Sequence, residues 1–144
     1  GEHGDSSFIP WSVANISNVP ISKCNELISL PGMESPALNF DEIEQYVRKS
    51  GGRVIARKGA TFYAVSISVC HICKCLLAGI DTTMTVSTMM HGEYGIDDVC
   101  LSTLNLVGHD GIRGKVNVPL TDEETAKLRF SADTLKDVIK NLNI

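Results

Sequence analysis

Apolar positions recur along the chain in two rhythms, one helical and one alternating. The helical spacing starts at Asn39. This residue is a natural N-cap, Asp41 and Glu42 place negative charge in the first turn, and Ile43, Val47 and Val54 fall along one side. Arg57, Lys58 and Gly59 supply a cationic last turn and a glycine C-cap. Ser50-Gly51-Gly52 interrupts the pattern. Each mid-helix glycine costs about 0.8–1 kcal/mol relative to alanine, so a kink or break is expected there. A second helix is predicted from about Thr61 to Ala78; it is apolar almost all round, a pattern that predicts burial.

Alternation follows. "MTVSTMM" and "VCLSTLNLV" read as strands, "GHDG" as a tight turn, and "IRGKVNV" as a third strand. Upstream, "WSVANISNVPIS" is strand-like and "LPGMESPA" is a Pro/Gly loop. A final helix begins at Thr121, where Glu124 three residues on completes a capping box. Leu128, Ala132, Leu135, Ile139 and Leu142 recur on one face, and Lys136 and Lys140 complement the C-terminal end of the helix dipole. These elements make an α+β fold, an antiparallel or mixed sheet packed by long helices, in one domain spanning 1–144.

Composition narrows the function classes. With 43% hydrophobic and 21% charged residues the chain reads as an ordinary globular protein, and its net charge of −4 excludes a general phosphate-backbone binder. No nucleic-acid partner is expected. No apolar run approaches the ~20 residues of a membrane span, so no membrane partner is expected either. Five cysteines cannot all pair within one chain, and most have apolar neighbours, so reduced thiols and a cytoplasmic location are expected.

The most conspicuous motif, "CHICKC" at 70–75, carries ligand types that zinc prefers. On a helix, however, Cys70 and Cys73 fall about 60° apart on one side, and His71 and Cys75 about 40° apart on another. The four cannot converge on one ion, no second CxxC exists, and structural core cysteines are expected, with no metal site. Neither GxGxxG nor GxxxxGK[ST] occurs, so the chain itself offers no cofactor-binding loop. His3, Asp5 and Ser6 have the letters of a hydrolase triad, but neighbours in one short loop do not easily line up as nucleophile, base and orienter. Asp122-Glu123-Glu124 is explained by the helix start, and His91 and His109 by solvated turns beside glycine.

"GEHGDSSFIPWS", "KGATFYAVS", "TVSTMMHGEYGIDDVCLS" and "DGIRG" together resemble the C-terminal part of bacterial-type L-lactate dehydrogenases, in the lactate/malate dehydrogenase superfamily. The likeness runs through essentially the whole chain in order. "GEHGDS" followed by Trp11 is closer to the lactate branch than to malate dehydrogenases, which usually read more like GGHGDT. The resemblance implies interconversion of (S)-lactate and pyruvate with NAD+/NADH, with His3 as the proton donor and acceptor. Histidine suits that step because its unperturbed pKa of about 6.5 lets it give and reclaim a proton near neutrality. It also implies Thr61, in "KGAT", as a substrate-side residue; the same threonine reads independently as a helix N-cap.

In the resembling family the nucleotide-binding domain, a mobile loop with a polarising arginine, and an LDxxR segment all precede this stretch. The chain is therefore expected to begin inside the catalytic loop, as a domain piece or proteolytic fragment that is inactive alone. The NAD site would lie mainly outside it. Ser7, where the family is commonly acidic, and the Ser50-Gly51-Gly52 break are departures in local detail. Partners expected are a small 2-oxo or 2-hydroxy acid and further copies of the chain in a homo-oligomer. The competing readings are a malate or other 2-hydroxy acid dehydrogenase, a non-catalytic oligomerisation module, and, weakest, a thiol or zinc module.

Overall fold

The computed structural model describes residues 1–24 and 38–142. Its centre is an antiparallel sheet of order β3-β4-β5, made of β3 (Thr82–His91), β4 (Asp97–Gly108) and β5 (Gly111–Lys115). Helix α3 (Asp122–Lys140) packs on it. A small β1 (Asn15–Ile16) and β2 (Val19–Pro20) hairpin precedes α1 (Phe40–Lys58) and α2 (Tyr63–Leu77). The α+β architecture read from the sequence is the one observed.

Alternation decides which face of the sheet is buried. Met84 and Met90 of β3 and Val99, Leu101 and Val107 of β4 point to the covered side, while Thr85, Ser87 and Met89, between the two methionines, are exposed. Leu128 and Ala132 of α3 close over Met90, Ile96, Val99 and Leu101, and Phe8, Tyr94, Leu120 and Leu135 pack around this cluster. Fully burying each such large apolar side chain contributes roughly 1.5–3 kcal/mol. The capping box starts α3 as expected: Thr121 Oγ1 accepts the Glu124 N–H at 3.2 Å, and the Glu124 carboxylate accepts the Thr121 N–H at 3.1 Å. Farther along, Ile139 and Leu142 are exposed, because α3 runs past the core beyond Leu135.

Several expectations change. "WSVANISNVPIS" forms a 3-10 turn at Trp11–Val13, a two-residue ladder and the start of a second 3-10 turn at Ile21–Lys23 instead of a long strand. Ser17 and Asn18 both take positive φ, the geometry of a two-residue type I′ hairpin, which closes the ladder tightly. The third strand stops at Lys115. Val116 makes one more bond to Leu104, Val118 then turns back onto Val116, and Pro119 has no N–H to continue. The "LPGMESPA" loop lies outside the described residues.

Helix α1 is continuous through Gly51 and Gly52. Caps and side-chain pairs carry it across. Asn39 Oδ1 accepts the Glu42 N–H, Gly59 (φ 85°) returns its N–H to Ile55, and the Arg53 guanidinium lies over the Tyr46 ring at 4.4 Å. The expected burial of α2 is also overturned: none of its residues is buried. It meets β4, and only Ile72, Cys75 and Leu76, one narrow stripe, are half-buried. No described helix is long and apolar enough to cross a membrane.

Candidate active site

The segment bearing His3 has no regular secondary structure of its own, and neighbouring elements hold it. Gly1 extends the sheet along the edge of β4 that β5 leaves free: its N–H donates to Ser102 O at 2.7 Å, and Ser102 N–H donates to Gly1 O at 3.0 Å. A Cβ on residue 1 would stand 2.6 Å from Ser131 Oγ, so only glycine lets the loop pass between β4 and α3. The Glu2 N–H donates to that same Ser131 hydroxyl at 2.6 Å. Ser6 donates its hydroxyl to the Glu2 carboxylate and lies 3.0 Å from Ser131 Oγ. A turn then closes from Ser7 N–H to Gly4 O.

Helix α1 and the start of α3 hold the next residues. Arg48 donates to Ser7 O through Nη2 (2.6 Å) and Nε (3.1 Å), while pairing with Glu44 at 2.7 Å. Glu44 in turn accepts the Ile9 N–H. Trp11 stacks on Phe40 at 4.6 Å. Glu124, 8% exposed, accepts both the N–H and the hydroxyl of Ser12. Burial pushes its carboxyl upward, but the hydrogen bonds from Ser12 and Thr121 outweigh that and hold it below the usual carboxylate range. Its contribution to stability is therefore present above the unfolded value and fades as pH falls through the lowered folded value.

The result is a backbone fixed from three elements with the His3 imidazole left open to solvent. Such a group can exchange protons with a ligand while its loop stays in place. Ser6 and Asp5 form no hydrolase triad with it, since Ser6 is engaged by Glu2 and Ser131 and Asp5 points to solvent.

Thr61 lies in the short link between α1 and α2 and is exposed. It is not the N-cap that the sequence suggested. Phe62 takes that position without a side-chain cap, and the helix starts at Tyr63. At this corner the Lys58 ammonium sits 3.6 Å from the Phe62 ring centre and 3.5 Å from that of Tyr63, gathering both rings. His3 and Thr61 are held by separate parts of the fold.

The "CHICKC" thiols are not core residues. Cys70 and Cys73 are exposed and Cys75 is half-buried, because nothing among the described residues covers that part of α2. His71 Nε2 and Cys75 Sγ share a face at 3.9 Å, as their spacing requires. Among the described residues no three His, Cys, Asp or Glu side chains are grouped to hold a metal ion. His91 and His109 are exposed, as read. A groove of about 730 Å³ beside His91 contains Lys115 and Arg113, but Lys115 pairs with Glu93 and Arg113 with Asp81.

Glu2, Arg48, Glu44, Ser131 and the Ser12–Glu124 link were not anticipated. One of them left a readable signal: Ser131 is a polar residue on the apolar face of α3, between Leu128 and Ala132.

The profile of the lactate/malate dehydrogenase α/β C-terminal domain matches residues 1–143. The L-lactate dehydrogenase of Thermoanaerobacterium saccharolyticum is 40% identical over 144 residues, covering 100% of this chain and 45% of that protein. A lactate dehydrogenase from a Medee basin deep-sea metagenome library superposes with a TM-score of 0.91 at 26% identity, covering 100% of this chain and 45% of that one. The malate dehydrogenase of Archaeoglobus fulgidus, solved in complex with NADH, gives 0.81 at 28% identity, covering 100% and 42%. The chain thus spans less than half the length of the relatives it matches. From its first residue almost to its last, it belongs to the lactate/malate dehydrogenase family, as that family's α/β C-terminal domain.

Proposed function

We propose that residues 1–144 are the C-terminal, substrate-binding part of an NAD-dependent L-lactate dehydrogenase. In this reading His3 gives a proton to the carbonyl oxygen of pyruvate on reduction and takes it back from lactate on oxidation. The observation that carries the reading is the His3 loop, whose backbone is fixed from β4, α3 and α1 while the imidazole stays accessible. The similarity to proteins named L-lactate dehydrogenase supports the lactate branch.

Thr61 is assigned to the substrate side. It stands just ahead of α2, whose first turn has no side-chain cap. The N–H groups and dipole of that turn favour an anionic oxo-acid.

A dinucleotide phosphate does not fit the described residues. The described helices start at Phe40, Tyr63 and Asp122, none of them on a glycine-rich strand-to-helix loop. NADH, when bound, supplies the hydride, and its main site is assigned to a preceding domain. The five free cysteines support a cytoplasmic setting. The exposed apolar side chains of α1 and α2, including Val47, Ile55, Val65 and Ile67, support a homo-oligomer.

The test is His3→Gln in the full-length protein. Turnover falls by about 10²–10⁴-fold, while NADH affinity, measured by fluorescence titration, stays unchanged. Wild-type turnover in the variant removes the assignment.

A further inference from the structure

We propose that Ser131 of α3 is a positioning residue for His3, acting through a closed ring of hydrogen bonds that grips the loop on both sides of the imidazole. The proposal rests on the reading of His3 as proton donor and acceptor.

A serine inside a helix ordinarily turns its hydroxyl back to the carbonyl four residues earlier. Ser50, Ser66, Ser68 and Thr134 all do so in this chain. Ser131 does not. It is fully buried, and its hydroxyl faces the loop, with the Glu2 N–H at 2.6 Å and Ser6 Oγ at 3.0 Å.

Counting protons fixes the direction of every bond. A hydroxyl has one hydrogen to give and two lone pairs to accept with. The hydrogen of Ser6 goes to the Glu2 carboxylate. At the contact between the two hydroxyls Ser131 is therefore the donor and Ser6 the acceptor. The sequence of donors runs from the Glu2 N–H to Ser131, from Ser131 to Ser6, and from Ser6 to the Glu2 carboxylate.

The ring starts and ends on the residue before His3 and crosses to the residue three beyond it, so each bond polarises the next. Gly1 makes room for it, since a Cβ there would meet Ser131 Oγ. Among the described residues this hydroxyl is the direct polar link from α3 to the Glu2 amide, while Glu124 holds the segment farther on, at Ser12.

The test uses the full-length protein carrying Ser131→Ala, alone and combined with His3→Gln. A displacement of about 1 Å costs on the order of 10²-fold in rate. Ser131→Ala is expected to lower kcat about 10–100-fold, with the NADH dissociation constant and the KM for pyruvate little changed. In the His3→Gln background the same substitution lowers kcat no further, because the group it positions is gone. Wild-type kcat in Ser131→Ala overturns the proposal. So does an equal loss in the two backgrounds, which would mean that the effect does not pass through His3. Ser6→Ala opens the ring from the half-buried loop side with α3 intact. It should show a smaller loss with the same dependence on His3, and it decides the matter if Ser131→Ala fails to fold. His3→Gln with normal turnover marks failure of the underlying reading, a different outcome from normal turnover in Ser131→Ala beside a crippled His3→Gln.

Discussion

In β3, β4 and α3 the apolar side chains meet one another: Met90 and Leu101 are completely buried, and Val99, Leu128 and Ala132 nearly so. In α1 and α2 none of the residues is buried, and Ile67 is 72% exposed. The sequence of α2 is the more apolar of these helices, yet α3 is the one that packs. The two regions teach that periodicity records which side of an element is apolar, and says nothing of whether the chain itself supplies a cover. The covered region fixes the His3 loop. The uncovered helices present surface.

This contrast breaks if the two regions respond alike to truncation. Leu101→Ala removes a side chain with no exposed surface, and it should destabilise the chain by about 2–5 kcal/mol, the range for a buried leucine whose site relaxes only partly. Ile67→Ala, on the exposed face of α2, should change stability by no more than about 0.5 kcal/mol. Urea denaturation followed by far-ultraviolet circular dichroism measures both. Equal losses would mean that α2 is buried in solution.

What the sequence made legible follows the same division. The strands and α3 were readable because alternation and the capping box are local signals, and the tertiary contacts agree with them. The unbroken passage of α1 through Gly51 and Gly52 was not readable, since it depends on the Asn39 cap, the Gly59 C-cap and the Arg53–Tyr46 contact acting together. The exposure of the "CHICKC" thiols is not legible either, because apolar neighbours in sequence do not show that another element covers them. At the candidate site, the reading of His3 rests on resemblance, as a histidine in a short loop carries no local physical signal. The loop around it is anchored from as far as 129 residues away, between Glu2 and Ser131. Ser131 alone was detectable, as a hydroxyl on an apolar helix face.

The uncovered region also sharpens the contrast through association. Val65, Ile67 and Val69 on α2 and Val47 and Ile55 on α1 are exposed together with Phe62 and Tyr63. Self-association is the expected way to remove part of this area from water. Light scattering across a dilution series should show species heavier than 15.6 kDa at micromolar concentration. Ile67→Lys should weaken association by about 10–100-fold, as burying one isoleucine is worth roughly 1.5–3 kcal/mol and each 1.4 kcal/mol is tenfold. A single monomeric mass at every concentration, with or without the lysine, would show that these faces have no mutual affinity.

The smallest effect separates the regions by sign. Gly51 lies within α1 in helical geometry, and a Cβ there meets nothing within 4 Å. Alanine removes the conformational freedom that glycine has in the unfolded chain and introduces no clash. Gly51→Ala should therefore stabilise the chain by about 0.4–1 kcal/mol. Gly108, at the end of β4, is the control. It is buried, and a Cβ there would collide with the Asp81 carboxylate and stand 2.7 Å from Arg113 Cδ, the two side chains that pair across it. Gly108→Ala should destabilise, because that exposed ion pair must open or shift. The two transition midpoints, measured side by side, should move in opposite directions. If Gly51→Ala destabilises as well, the glycines in α1 are needed for contacts on that helix, and its exposed face is not a free surface.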